Sequence, residues 1–303
     1  MRIQYRTLPV QALTKGATNV LDLPRDYFVQ RLVVDLQVNY NTGTSVTKSA
    51  TIWDLVSEVR IHREGRRSDI PFKLTGQHIR KLTEYDTMKA PIYTDFVTTA
   101  SLTNQLAEAF IPIDFRIDKW NDHDFSALID AFNYSSFKLA MDLGTEATIG
   151  SGYTFNSIVA YVSLVEVVPE VGDPALGVYN HNLTYLNYGS VQSEQAVDLK
   201  TGSVLRRLVL QAPNGGVSFF RIELSGSKLL IPKTSFTAQQ TINYLEYSPY
   251  QLESDIAIID FAEINGIKGS IDLRKAKQGD VKLFTTLSVS STPITLVYDE
   301  IKD

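Results

Sequence analysis

One half of this 303-residue chain repeats the other in four collinear blocks, so the fold must be one in which the same unit is built twice. Residues 21–34 lie over 197–210 without a gap, matching Asp22 with Asp198, Leu23 with Leu199 and Arg31-Leu32-Val33 with Arg207-Leu208-Val209. Residues 59–71 lie over 220–232, matching Arg60-Ile61 with Arg221-Ile222, Gly65 with Gly226 and Ile70-Pro71 with Ile231-Pro232. Ile113-Asp114-Phe115 recurs as Ile259-Asp260-Phe261, and Lys138-Leu139 with Leu143 recurs as Lys282-Leu283 with Leu287. The offset between copies falls from 176 to 161, then 146, then 144, as read from Arg31, Arg60, Asp114 and Lys138 and their counterparts. The matches are few within any one block. It is the preserved order, with steady shortening of the second copy's connections, that argues for duplication.

The repeated unit is made of strands. Residues 28–38 mix β-branched and polar residues at roughly period two without helix signals. Similar runs occupy 52–62, 109–115, 137–143, 155–168, 204–211, 218–224, 256–261, 281–289 and 294–301, separated by Gly, Pro, Asn and Ser turns. Helical periodicity is confined to short pieces, chiefly 124–132, where Phe125, Leu128, Ile129 and Phe132 share a face after an Asp cap. The stretch Val168-Pro169-Glu170-Val171-Gly172-Asp173-Pro174 ends a strand and opens a linker, which predicts domains over 1–170 and 171–303. The longer connection at 39–50 answers to Pro213-Asn214-Gly215-Gly216, whose Asn-Gly step suits a tight hairpin. Each copy is then about eight short strands in roughly 130–170 residues, the rhythm of an all-β two-sheet sandwich.

Several chemistries are closed. With no cysteine there is no disulfide, thiolate metal site or cysteine nucleophile. The start MRIQYRTLPVQ has no apolar signal core, so synthesis without secretion is expected, and the most apolar window, 158–168, falls far short of the ~20 residues of a membrane-spanning helix. A net charge of −5 argues against a domain devoted to neutralising phosphate. The local exception is the first 25 residues, where Arg2, Arg6, Lys15 and Arg25 stand against Asp22 and form a candidate arm for an anionic surface. The four histidines, His62, His78, His123 and His181, show no metal-ligand spacing. Asp114, Asp118, Asp122 and Asp124 crowd one stretch, and Asp118, Asp122 and Asp124 are candidate calcium ligands, although the glycine of a helix–loop–helix calcium loop is missing and an Asp there also serves as a helix cap. No nucleophile elbow, phosphate loop or dinucleotide-binding glycine cluster is present, so neither an enzyme nor a cofactor is expected.

Two consecutive eight-stranded sandwiches in a cysteine-free chain of this size resemble the double jelly-roll major capsid proteins of tailless, internal-membrane-containing icosahedral bacteriophages, in the adenovirus hexon lineage. The resemblance is carried by Leu21-Asp22-Leu23-Pro24-Arg25 ahead of the strand at 28–38, by Val59-Arg60-Ile61-His62 with the Gly65 turn, by the two Ile-Asp-Phe strand ends, and by the strands closing each copy. It implies two tandem jelly rolls with short helices in loops, and a homotrimer forming a pseudo-hexagonal capsomer in the virion. Its implied partners are neighbouring capsomers, minor capsid and vertex proteins, and an internal lipid membrane touched by the N-terminal arm. It also implies synthesis in the host cytoplasm. The surfaces expected to matter are the loops at 39–50 and 83–103 and the joining segment 173–199, each longer than closing a sandwich requires. The alternatives are a two-domain β-sandwich adhesin, receptor- or carbohydrate-binding protein, and a cupin-like or glycan-cleaving jelly roll, whose paired-histidine motif is absent.

Overall fold

The structure, a computed structural model, describes residues 2–65, 68–116, 125, 127–169, 179–191, 196–213, 216–224, 228–246, 253–261, 270–289 and 292–302. The chain divides into two compact units, 1–181 and 182–303. The division expected after residue 170 falls in 170–178, outside the described residues. In chain order the elements of the first unit are β1 (Arg2–Thr7), β2 (Gln11–Leu13), β3 (Thr18–Asp22), β4 (Phe28–Lys48), α1 (Ile52–Leu55), β5 (Val56–Glu64), β6 (Asp69–Leu74), α2 (Gly76–Thr87), β7 (Tyr93–Thr94), β8 (Gln105–Asp114), β9 (Ala127–Leu128), β10 (Ser136–Leu143), α3 (Glu146–Ile149) and β11 (Gly150–Val168). Strand β12 (Tyr179–Val191) runs through the division, and the second unit continues with β13 (Ala196–Asp198), β14 (Val204–Gln211), β15 (Val217–Leu224), β16 (Lys228–Ser235), α4 (Phe236–Glu246), β17 (Ile256–Asp260), β18 (Ile271–Asp272), β19 (Val281–Leu287) and β20 (Thr292–Lys302).

In the first unit one sheet runs β1-β11-β4-β8-β7, with β2 also on β11, and another runs β6-β5-β10-β3. In the second unit the corresponding paths are β12-β20-β14-β17, with β18 on β14, and β13-β19-β15-β16. Strand by strand, β1, β11, β4 and β8 answer to β12, β20, β14 and β17, and β3, β10, β5 and β6 answer to β13, β19, β15 and β16. Helix α2 follows β6 as α4 follows β16. This is the expected all-β pair of tandem jelly rolls. Period-two alternation builds both cores: Leu32, Val34, Leu36, Val38 and Tyr40 of β4 are fully buried at every second position. In the second unit Leu208, Leu210, Phe220, Ile222, Leu283 and Leu296 form the equivalent core.

The duplication extends to register. Leu32 lies opposite Ile113 and Leu208 opposite Ile259. Lys138 pairs with Asp22 on one side and His62 on the other, as Lys282 pairs with Asp198 and Glu223. A β-bulge recurs as well. Arg31 and Val29 oppose Val165 and Glu166, leaving Gln30 extra, and Arg207 and Leu205 oppose Asp299 and Glu300, leaving Arg206 extra. Each extra residue's carbonyl accepts from the Phe of an Ile-Asp-Phe strand end, Phe115 N to Gln30 O at 3.0 Å and Phe261 N to Arg206 O at 2.9 Å. The repeat slips at the β15–β16 hairpin, where bulges flank Ile222: Ile61 opposes Phe72, whereas Ile222 opposes Ile231.

Four expectations are corrected. The segment at 124–132 is not helical where described: Ala127–Leu128 form β9, parallel to Tyr179–Asn180, and Ile129 bridges to Val29. Ala127, Leu128 and Ile129 are buried consecutively, which the single inward face of a surface helix would not achieve, and their backbone is satisfied by pairing with strands. A helix forms instead at α2, where Thr75 Oγ1 accepts from His78 N at 3.1 Å, Ile79, Leu82 and Tyr85 point inward, and Met88 ends the helix at φ 52°. The presumed loop at 39–50 is mostly strand, because β4 continues to Lys48 against Gly150 of β11. Gly152, at φ +82°, permits this pairing; a Cβ there would stand 2.1 Å from the Ser45 carbonyl oxygen. Finally, the N-terminal arm is woven in, with β1 and β2 on β11 and β3 on β10, and the strand expected from residue 52 begins with helix α1.

Candidate functional site

The structure gives the basic residues of the N-terminal segment distinct surroundings. Arg2 is exposed on β1, opposite Val168. Arg6 donates to Asp26 at 2.8 Å and stands 3.0 Å from a carboxylate oxygen of Glu166, while Lys15 pairs with Glu146 and Arg25 donates to the Tyr134 carbonyl at 2.6 Å. Glu166 is wholly buried. Burial pushes its carboxyl above the ordinary range, against the pull of Arg6. The hydrogen bond that Arg6 donates to Asp26 holds its guanidinium above its usual value, with burial opposing and Glu166 adding to the effect.

Glu300, the counterpart of Glu166 at the second bulge, is also buried but differently served. Ser203 Oγ donates to it at 2.7 Å, and Lys200 Nζ lies 3.3 Å away while also donating to Thr184 Oγ1 at 2.7 Å. Burial lowers the Lys200 ammonium, with Glu300 restoring part of it. The Tyr298 hydroxyl, 2.8 Å from that of Tyr188, is pushed well up by burial. Next to it in sequence, Asp299 accepts from Arg206 Nη1 at 2.8 Å and Arg207 Nε at 3.1 Å. Each acid has a fixed cation or hydroxyl beside it, an arrangement suited to locking the closing strand of each unit. Pattern reasoning passed over these acids, although Val165-Glu166-Val167 and Asp299-Glu300-Ile301 each set a charge inside a strongly β run.

The expected long loops of the first copy fold onto one another. Tyr40 OH accepts from Val97 N at 2.8 Å, Tyr153 OH donates to Val97 O at 3.0 Å, and Phe96 stacks on Phe155 with ring centroids 5.6 Å apart. Thr42 ties in both directions, donating to Thr99 O and accepting from Leu102 N, each at 2.8 Å. Lys48 pairs with Asp95 at 2.6 Å, and a second Asp95 oxygen accepts from Ile52 N at the start of α1. The extra length of copy one is thus a stitched substructure. The segment at 173–199 is described only in part, as β12, β13 and the residues after them.

The calcium candidates Asp118, Asp122 and Asp124 lie outside the described residues, as do Trp120 and His123. Asp114 is occupied by Arg116, at 2.6 Å. Among the described residues no group of three His, Asp or Glu side chains is placed to hold a metal, and no helix is long and apolar enough to cross a membrane. His62 sits on β5 with its imidazole lowered by burial and then by Arg60, and His78 is buried in α2. A feature not anticipated from sequence is the outer face of α4, where Ile242, Tyr244 and Leu245 are exposed.

No protein-family model matches the chain, and no curated protein matches it in sequence. Solved structures do match over its whole length. The STIV major capsid protein aligns with TM-score 0.80 at 18% identity, covering 100% of this chain and 97% of that one. The major capsid protein P2 of bacteriophage PM2 aligns with TM-score 0.68 at 13% identity, covering 100% and 98%. The capsid protein of the PBCV-1 virus aligns with TM-score 0.65 at 11% identity, covering 99% and 94%. The fold of this chain is therefore that of the double jelly-roll major capsid proteins of viruses.

Proposed function

We propose that this chain is a major capsid protein, a structural protein without catalytic activity. Three copies form a pseudo-hexagonal capsomer, and capsomers tile an icosahedral shell around an internal membrane. The observation supporting this most directly is the repetition of strand order, register and bulge in two units, in a chain similar end to end to proteins described as major capsid proteins. Two similar units per chain let a threefold assembly offer six near-equivalent sides, which a single unit achieves only as a hexamer.

On this reading the partners are further copies of the chain, neighbouring capsomers, and minor capsid and vertex proteins. The protein is made in the host cytoplasm and resides in the virion. The N-terminal residues, with Arg2 exposed, face the internal membrane peripherally, and the acidic balance leaves no direct role in binding nucleic acid. Light scattering on a sizing column tests the assembly: a mass near three times 33.9 kDa is expected, with three-lobed or hexagonal outlines in negative stain. A monomer at every concentration that binds glycans would point to the adhesin class instead.

A further inference from the structure

Helix α4 is amphipathic in the unusual sense. Its inward side begins with Phe236, buried in the core, and is polar from there on: Gln239 and Asn243 donate to the Ile258 carbonyl at 2.9 and 2.8 Å, Gln240 donates to the Ile256 carbonyl at 2.9 Å, and Asn243 Oδ1 accepts from Ile258 N at 2.9 Å. These amides occupy hydrogen-bonding groups of β17, the terminal strand of its sheet path, which otherwise presents a bare edge. The outward side is apolar. Ala238, Thr241, Ile242 and Leu245 follow helical spacing on one face beside Tyr244, and Ile242, Tyr244 and Leu245 are 42%, 45% and 72% exposed.

The first unit supplies an internal comparison. Every residue of α2 is buried or half-buried. Helix α1 packs against its start so closely that a Cβ on Gly76 would stand 2.3 Å from the Trp53 carbonyl oxygen, and Gln77 donates to Thr51 Oγ1 at 3.2 Å. In the second unit the connection between β14 and β15 is shorter, 212–216 against 49–55 in the first.

We infer that the outer face of α4 is a contact surface for a second copy of this chain, an inference that rests on the capsomer reading and names one surface through which it is built. Residues 237–245 carry no charge, whereas the chain as a whole is at −5. Two like-charged copies approach most readily through such a neutral face, while an anionic lipid or nucleic acid would select a cationic one. The three exposed side chains present roughly 300 Å² of mostly apolar area. That is the apolar centre of an interface of about 800 Å² per partner, with Tyr, Ile and Leu as its anchors.

The test uses the full chain. In the double variant Ile242→Asp/Leu245→Asp, light scattering should show dissociation at concentrations where the wild type is a trimer, with an unchanged circular dichroism spectrum. Because the chain has no cysteine, Leu245→Cys introduces a unique thiol, and its maleimide labelling should slow at least tenfold on assembly. A wild-type trimer whose double variant stays trimeric over the same dilution series overturns this inference and leaves the capsomer reading standing. So does a thiol that labels equally fast in assembled and dissociated protein, a readout that decides the matter if the double variant fails to fold. Protection of that thiol by lipid vesicles, without change on assembly, would assign the face to lipid and overturn it too. A wild type that never associates removes the inference and the capsomer reading together.

Discussion

Glu166 and Glu300 occupy equivalent places beside equivalent bulges, yet their surroundings differ enough to separate their behaviour. Glu300 has a hydroxyl and an ammonium on its two oxygens, whereas Glu166 has the Arg6 guanidinium of the edge strand β1, itself shared with Asp26. With its carboxyl raised above the ordinary 4.5 by burial, native Glu166 retains its proton over a pH range in which the unfolded chain has released it. The native state then binds more protons than the unfolded one, so stability falls as pH rises from about 4.5 through the raised native value. Glu166→Gln abolishes that titration while keeping the shape of the side chain. Melting curves at successive pH values should show the wild type losing ground to the variant as pH climbs through this interval, with a constant gap above it. Parallel curves for the two proteins would mean that Glu166 titrates as it does in the unfolded chain.

At the scale of elements, the edge of β17 is closed by side-chain amides, and Asn243 is the most committed of them because it serves both the N–H and the C=O of Ile258. Asn243→Ala leaves the Ile258 N–H without its side-chain acceptor and the Ile258 carbonyl with Gln239 as its remaining side-chain donor, at a cost of about 2 kcal/mol in urea unfolding. Asn243→Leu should not recover it, since an apolar side chain fills the space without replacing the bonds. A loss below about 0.5 kcal/mol would show that water or a neighbouring amide takes over. This arrangement also explains what could be read from sequence and what could not. The strand at 204–211 was legible to the residue, because a short, mostly apolar run bounded by turn residues is a local property, even though residues 205–210 are all buried. Helix α4 was not, because after the buried Phe236 its inward residues are Gln239, Gln240 and Asn243 while Ile242, Tyr244 and Leu245 face out, so periodicity points to the wrong side. At 127–129 the error ran the other way, since apolar spacing suggested a helix where pairing with Val29 and with Tyr179–Asn180 decides the backbone. The bulges at Gln30 and Arg206 had no sequence signal: the ungapped block aligns the two positions, but the residues differ and only the ladder shows that each is extra.

For the whole molecule, the duplicated blocks carried most of the fold, because residues that set register between strands, such as Arg31 with Asp114 and Lys138 with Asp22, survive in both copies. What differs between the copies lies where a repeated unit is free to diverge: the extended β4–β11 ladder with its stitched 95–102 segment in one, and the uncovered helix in the other. In the proposed threefold assembly such divergence would give the six near-equivalent sides two chemical characters, so contact specificity would not have to come from charge. Three chains at −5 each carry a net repulsion on association, and uncharged surface such as the outer face of α4 offers attraction that this repulsion does not oppose. Salt discriminates between this origin and ion pairing, since screening at 1 M reaches down to ~3 Å and weakens exposed ion pairs while relieving net repulsion. The mass by light scattering should therefore hold at the trimer value from about 0.05 to 1 M sodium chloride, and the dissociation midpoint on dilution should move to lower protein concentration as salt increases. Dissociation on adding salt would place the association energy in charged contacts between chains, away from α4.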